Sequence, residues 1–290
     1  MRSNIYVFLI LFFVISCNKK KEYYENGGLY KVYHQKNNFL HGEYQEYYPS
    51  QNLKLLSYYV NGEIGDSIVE FYDAPEQIVK SIQYNLKEDS IKKVFYSEEG
   101  KKLEEGILYK HKRIGEWNFY DDDNQVSKKL EYLIINGEQY VNQGWYYDKE
   151  GRIRKNIGNH LKIEMKSDTV NVNEIVKVLI TLEMPLFSFD SDVVVYIPKD
   201  NTHELKSDYS NFYEIEMDTL LSLKNEKQQK EYNSYNLQVL TALKFSKRGE
   251  YNFRGVLQEI HPNYENSGID LNLNDSIARK IYFNKTIYVK

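Results

Sequence analysis

Chemistry in this 290-residue chain would have to come from its histidines, its cysteine or its close-set carboxylates. The six histidines are His34, His41, His111, His160, His203 and His261. None stands four residues from another, the spacing that places two imidazoles on one helix face around zinc. Cys17 is the only cysteine, so neither a thiolate metal site nor an internal disulfide can be built. There is no Gly-x-Ser-x-Gly turn, and no glycine-rich loop that could cradle a phosphate. Asp121-Asp122-Asp123-Asn124 offers oxygens to calcium but lacks the spaced loop that surrounds the ion, and reads as a hairpin turn. Glu104 and Glu105 are neighbours on a strand pattern and point to opposite faces, where they cannot act on one substrate. These residues predict no catalytic site, no metal and no cofactor.

The elements that would position any site are set by a repeat. Tyr24, Tyr48, Tyr72, Tyr96 and Tyr120 stand one every 24 residues, a spacing that marks a repeat architecture. An aromatic residue precedes each, giving Tyr23-Tyr24, Tyr47-Tyr48, Phe71-Tyr72, Phe95-Tyr96 and Phe119-Tyr120, with Tyr146-Tyr147 following after a three-residue insertion. A glycine stands ahead of the pair in Gly42-Glu43-Tyr44, Gly65-Asp66-Ser67 and Gly115-Glu116-Trp117, opening an alternating strand. Polar clusters such as Pro49-Ser50-Gln51-Asn52 and Ser97-Glu98-Glu99-Gly100 follow the pair and turn the chain back. A second alternating strand then runs to Asn61-Gly62 or Asn136-Gly137, the strongest short hairpin signal. Each copy is predicted to be a β-hairpin paired to its neighbours in one long twisted sheet.

The segments Asn61-Gly62-Glu63-Ile64-Gly65, His41-Gly42-Glu43-Tyr44 and Ile114-Gly115-Glu116-Trp117, with the paired aromatics, resemble the bacterial variant of the MORN repeat found in YwqK-like antitoxin components. The resemblance covers roughly residues 22–157 and implies a hairpin array that binds a partner or serves as a structural module, with no catalytic residues. His41 would make a turn contact. The third copy departs from the pattern, with Asp89 near the glycine position and Pro75 in the turn. The candidate binding face of the array is Tyr44, Tyr48, Tyr72, Tyr96, Trp117, Tyr120, Trp145 and Tyr147; packing against neighbouring strands is the plainer role for these rings.

Ahead of the repeats, Arg2 precedes an apolar run, Ile5 to Ile15, with the length of a signal-peptide core rather than a membrane span. It ends in Val14-Ile15-Ser16-Cys17, which resembles the lipobox of bacterial lipoproteins. That resemblance implies cleavage before Cys17 and a lipidated cysteine as the membrane anchor, several acyl chains giving stable attachment. Residues 1–17 are then signal peptide and residues 18–22 a short polar tether. Asn18 is not the aspartate of inner-membrane retention, so the expected location is the outer membrane, on its periplasmic or its outer side.

Around Arg152–His160 the pattern changes, and residues 158–290 are predicted to form an immunoglobulin-like β-sandwich after the 23–157 repeat region. The strands are read at 161–165, 175–182, 193–197, 212–217, 237–245, 251–260 and 281–289, bounded by breakers such as Pro185 and Pro198. Lys247 to Phe253 resembles the tyrosine corner of such domains, with Phe253 where antibody domains carry cysteine. Lys224–Lys230 reads as a solvated loop or single helical turn. The expected fold class is all-β throughout.

A formal net charge of −4 argues against a nucleic-acid partner. Tyrosine supplies 28 residues, which suits a thin sheet whose rings pack while their hydroxyls stay wet. The function expected is a membrane-anchored, non-enzymatic lipoprotein whose array contacts an envelope protein or glycan. The alternative, implied by the family label, is an antitoxin or immunity protein whose acidic face masks a basic toxin.

Overall fold

The computed structural model describes residues 18–86, 89–199, 204–223, 237–261 and 278–290. Its chain is all-β and falls into two compact units that divide between Leu103 and Glu104. Strands β1 (Asn18–Tyr23), β2 (Leu29–Lys36), β3 (Phe39–Tyr47), β4 (Leu53–Val60), β5 (Glu63–Phe71), β6 (Val79–Asn85) and β7 (Ser90–Tyr96) build the first unit. Each pairs antiparallel with the next. β1 replaces the tether expected at 18–22. Asn18 to Lys21 align with Gln35 to Val32, and Glu22 faces Lys31 at 3.0 Å, so β2 gives this polar segment a backbone partner and gives Glu22 a counter-charge.

Two turn types alternate along the sheet. Hairpin tips such as Asn37-Asn38 and Asn61-Gly62 hold both residues at positive φ (51° and 66°, 52° and 93°), the primed two-residue turn that matches strand twist. At the other rim each turn has a backbone bond back to its first residue and a fourth residue in the left-handed region: Gly27, Gln51 and Gly100 in this unit. The copy containing Pro75 is longer, closing from Tyr72 N–H to the carbonyl of Ile78. The glycine of the repeated phrase also has a place. Register shifts occur opposite Gly42 and Gly115, which adopt φ of 106° and 63°, so the glycine makes the bulge in these two hairpins, whereas the β6–β7 pair runs without a shift.

In the second unit, β8 (Lys102–Tyr109), β9 (Lys112–Tyr120), β10 (Val126–Ile135), β11 (Glu138–Tyr147) and β12 (Ile153–Met165) form further antiparallel pairs. The boundary expected at 157/158 falls inside β12. Its first half pairs with β11, and its second half, from His160, pairs with β14 (Ile175–Met184). Before β14 comes β13 (Thr169–Val170); after it come β15 (Asp192–Pro198), β16 (Met217–Leu221), β17 (Gln238–Lys244), β18 (Gly249–Ile260) and β19 (Ala278–Val289). Strands β12, β14 and β17 face a sheet ordered β13-β19-β18-β15-β16. Val178, Ile180, Val193, Val195, Val239, Leu257, Ile281 and Ile287 are buried between the two sheets. Alternation along β14, with Val176, Val178, Ile180, Leu182 and Met184 inward, is the period-two pattern of a half-buried strand.

One expected strand is corrected. Residues 212–216 form turns, and β16 begins at Met217. Asn211 fixes the turn by accepting from Lys206 N–H and donating to the Glu204 carbonyl, while Phe212 packs edge-on against Tyr196 beside a small core of Leu205, Tyr209 and Val256. Tyr251 donates its hydroxyl to the Lys247 carbonyl at 2.9 Å, and Phe253 lies in the core. The Lys224–Lys230 segment lies outside the described residues.

Candidate interaction surface

The tyrosines of the 24-residue beat have a definite task in the first unit. Tyr24 donates to the Tyr47 carbonyl at 2.6 Å, Tyr48 to the Phe71 carbonyl at 2.8 Å and Tyr72 to the Tyr96 carbonyl at 2.7 Å. Each tyrosine opens a rim turn, and each acceptor is the residue just ahead of the next turn. The hydroxyls therefore lace one copy to the next. From the fourth turn on, the opening residue is Ser97, Asp121 or Asp148, one place after the aromatic pair. Those side chains cap their own turns, as Asp121 does by accepting from Asp123 and Gln125 N–H, both at 3.0 Å. The acid-rich Asp121–Asn124 segment is thus a turn, as expected. The expected turn contact of His41 also forms: its Nδ1 accepts from Asn61 N–H at 3.3 Å.

The other candidate rings are placed as follows. Trp117 is fully buried and donates from its indole to the Ile107 carbonyl at 3.1 Å, so it presents nothing to a partner. Its ring lies on Gly106, where a Cβ would collide with the indole, and the Arg113 guanidinium covers it at 4.3 Å from the ring centre. The bulged strand and the bare glycine pull this ring inward. Tyr120 donates to Glu105. Trp145 stacks on His160 at 5.5 Å and carries the Lys129 ammonium 4.6 Å from its ring centre. Tyr147 is half-buried opposite Ile153. Tyr96 lines a shallow groove with Ile78, Val79, Ile82 and Gly100. Cys17 lies outside the described residues.

Tyr44 differs from the ladder tyrosines. Its ring meets Tyr33 at 6.2 Å and Tyr59 at 5.5 Å, and its hydroxyl donates to Glu46 at 2.7 Å. Tyr33 and Tyr44 are direct cross-strand partners, and Tyr33 donates to Glu22 at 2.9 Å. Burial and the Glu46 carboxylate raise the Tyr44 phenol above its ordinary pKa, so this face carries no phenolate at neutral pH. The hydrogen bond from Lys31 lowers the Glu22 carboxyl below its usual value, and the same bond raises Lys31. The result is a half-buried tyrosine trio ringed by paired charges, Glu22 with Lys31 and Glu46 with Lys54, on one face of β1–β4. Tyr33 and Tyr59 were not singled out from the sequence. The signal that could have found them is register, since the phrase Gly42-Glu43-Tyr44 fixes which residues of β2 and β4 stand beside Tyr44.

In the second unit the polar groups of the last hairpin are turned onto the sandwich. Asn142 is fully buried, donates to the Tyr282 carbonyl at 2.8 Å and accepts from Tyr282 N–H at 2.9 Å, standing in for a strand partner of β19. Glu259, also fully buried, accepts from Leu186 N–H, Phe187 N–H and the Ser191 hydroxyl at 2.8–3.0 Å. Such groups stiffen a fold. They offer no open position for a substrate. Among the described residues no group of three histidine, cysteine or acidic side chains is placed to hold a metal. Neither the known protein families nor the curated proteins contain a match to this chain.

Proposed function

We propose that this chain is a bacterial lipoprotein, anchored through Cys17 and acting without catalysis as an interaction scaffold in the cell envelope. Its hairpins would be repeats of the MORN-variant kind, and its second sheet pair an immunoglobulin-like domain. The observation that carries the reading is the use made of the aromatic side chains. Tyr24, Tyr48 and Tyr72 are consumed in lacing the array, while Tyr33, Tyr44 and Tyr59 form a separate amphipathic cluster that suits a protein or glycan partner. The outer-membrane location follows from Asn18 after the cysteine. A toxin-masking role is less well supported, because the carboxylates Glu22, Glu46 and Glu70 already face Lys31, Lys54 and Lys93 within 3.6 Å. Masking a basic surface calls for free acids. Palmitate labelling of cells expressing the wild type and Cys17→Ala tests the anchor. Label on the wild type alone, with that protein in the membrane fraction, supports the proposal; label retained by the variant, or an unlabelled soluble wild type, overturns it.

A further inference from the structure

We propose that the hairpin-tip rim of the first unit lies against the lipid bilayer and inserts its exposed apolar side chains into the interfacial layer. This rests on the lipoprotein reading for its orientation, and on four observations for its chemistry. First, Phe39 (60% exposed), Tyr58 (54%), Val60 (48%), Tyr84 (39%) and Leu86 (48%) all stand at or next to the tips that join β2 to β3, β4 to β5 and β6 to β7. Second, they share a face. The aligned row Val32, Gln45, Leu56, Val69, Ile82 and Val94 marks one side of the sheet. Tyr58, Val60 and Tyr84 follow Leu56 and Ile82 at period two, and Phe39 is the cross-strand partner of Lys36, which follows Val32.

Third, the chain enters the fold at this rim. Asn18 pairs with Gln35, two residues from the Asn37 tip, and no flexible spacer intervenes because β1 starts at Asn18. Covalent geometry puts the Cα of residue 17 about 3.8 Å from that of Asn18, so an acyl-bearing Cys17 has no length with which to hold the rim away from the membrane. Fourth, cations are at hand for anionic headgroups: Lys36 stands beside the Asn37 tip and Lys19 pairs with His34 three residues from it, among the acids Glu43, Glu63 and Asp89. With strands about 4.8 Å apart, three successive tips cover roughly 20 Å of membrane surface. Tyrosine and phenylalanine at headgroup depth are the residues that interfaces favour, and burial of roughly 5–10 Å would take in the tip side chains alone. The rim is also braced for this load. Gly62 N–H donates to the Leu40 carbonyl at 2.7 Å, and the Phe39 ring packs against Gly62.

The test uses the full-length chain, purified from membranes and reconstituted into phosphatidylethanolamine–phosphatidylglycerol vesicles with or without brominated acyl chains. Phe39→Trp and Leu86→Trp place a reporter on the rim, and Glu25→Trp places one at the opposite rim, about 27 Å away along the eight residues of β4. The wild type supplies the background from Trp117 and Trp145. Loss of most of the introduced emission at positions 39 and 86 in brominated vesicles, with none at 25, is the expected result. Equal emission with and without bromine at positions 39 and 86 overturns the proposal, whether the rim is open to water or covered by a second copy or an envelope protein. Palmitate labelling of the same preparations separates the two claims. Quenching without label retains the rim contact and removes the anchor; label without quenching retains the anchor and removes the rim contact.

Discussion

The tyrosine ladder predicts a stability change that can be worked from the structure. Tyr24→Phe, Tyr48→Phe and Tyr72→Phe each delete one hydroxyl and leave the ring in place, removing donors that reach carbonyls at 2.6, 2.8 and 2.7 Å. A net intramolecular hydrogen bond contributes roughly 0.5–1.5 kcal/mol. The lower half of that range applies, about 0.5–1 kcal/mol each, because these side chains are half-buried and water can reach the freed carbonyl. Successive rungs stand two strands, about 10 Å, apart, so the losses should add to about 1.5–3 kcal/mol in the triple variant. At an m-value near 1.5 kcal/mol/M the urea midpoint of the first unit falls by about 1–2 M. The assay has a built-in division. Both tryptophans, Trp117 and Trp145, lie in the second unit, so indole emission follows that unit while far-UV circular dichroism follows both. The circular-dichroism transition should move to lower urea and the indole transition should not. Tyr58→Phe, at an exposed ring, is the control. A triple variant within about 0.3 kcal/mol of wild type, or a control with an equal loss, would refute the ladder as a lacing device.

Three further outcomes follow from the same geometry. Gly106→Ala drives a methyl group into the Trp117 indole and should cost about 2–3 kcal/mol with a red-shifted indole emission, read by urea unfolding and fluorescence. His111 sits at φ 67° in a hairpin tip where β-carbon crowding opposes the left-handed conformation, so His111→Gly should raise stability by about 1 kcal/mol in thermal unfolding. Burial lowers the His160 pKa below its model-peptide value of 6.5, with Lys129 adding to the effect and the Gly144 carbonyl and Glu183 opposing it. The unfolded chain then binds the proton more readily, so this contribution is complete above about pH 6.5 and is lost as pH falls toward the folded value. The melting temperature of the second unit should drop between pH 7.5 and pH 5.5 by more in the wild type than in His160→Gln.

Much of the architecture was legible because it is local. Asn61-Gly62 and Asn136-Gly137 name their own turn type, and alternation in Ile175–Leu182 names a half-buried strand. The tips at Asn37-Asn38 and Lys110-His111 were not legible, since they reach the same positive φ without glycine. A slip in the repeat was hidden by the aromatic count: Tyr72, Tyr96 and Tyr120 keep their spacing of 24, whereas the turns they accompany open at Tyr72, Ser97 and Asp121. Residues 18–22 looked like solvated spacer because Asn18 to Lys21 are exposed and polar, while their backbone pairing with β2 and the Glu22–Lys31 contact are not visible in composition. Phe212–Met217 looked like a strand because apolar side chains buried under a loop leave the same mark as a short strand. For the candidate face, period identified aromatic positions and could not say which way each ring turns. Bulges decide that, and they sent Trp117 inward while leaving Tyr44 on a face with Tyr33 and Tyr59.

The division between lacing tyrosines and contact tyrosines can be tested in intact cells by placing a photo-crosslinking amino acid at position 44 or 59 and, separately, at position 48 or 72. Adducts of one defined mass from 44 and 59, absent from 48 and 72, are the predicted result. Adducts only from 48 and 72, or from none of the four, would contradict the assignment of the partner surface to the Tyr33–Tyr44–Tyr59 face.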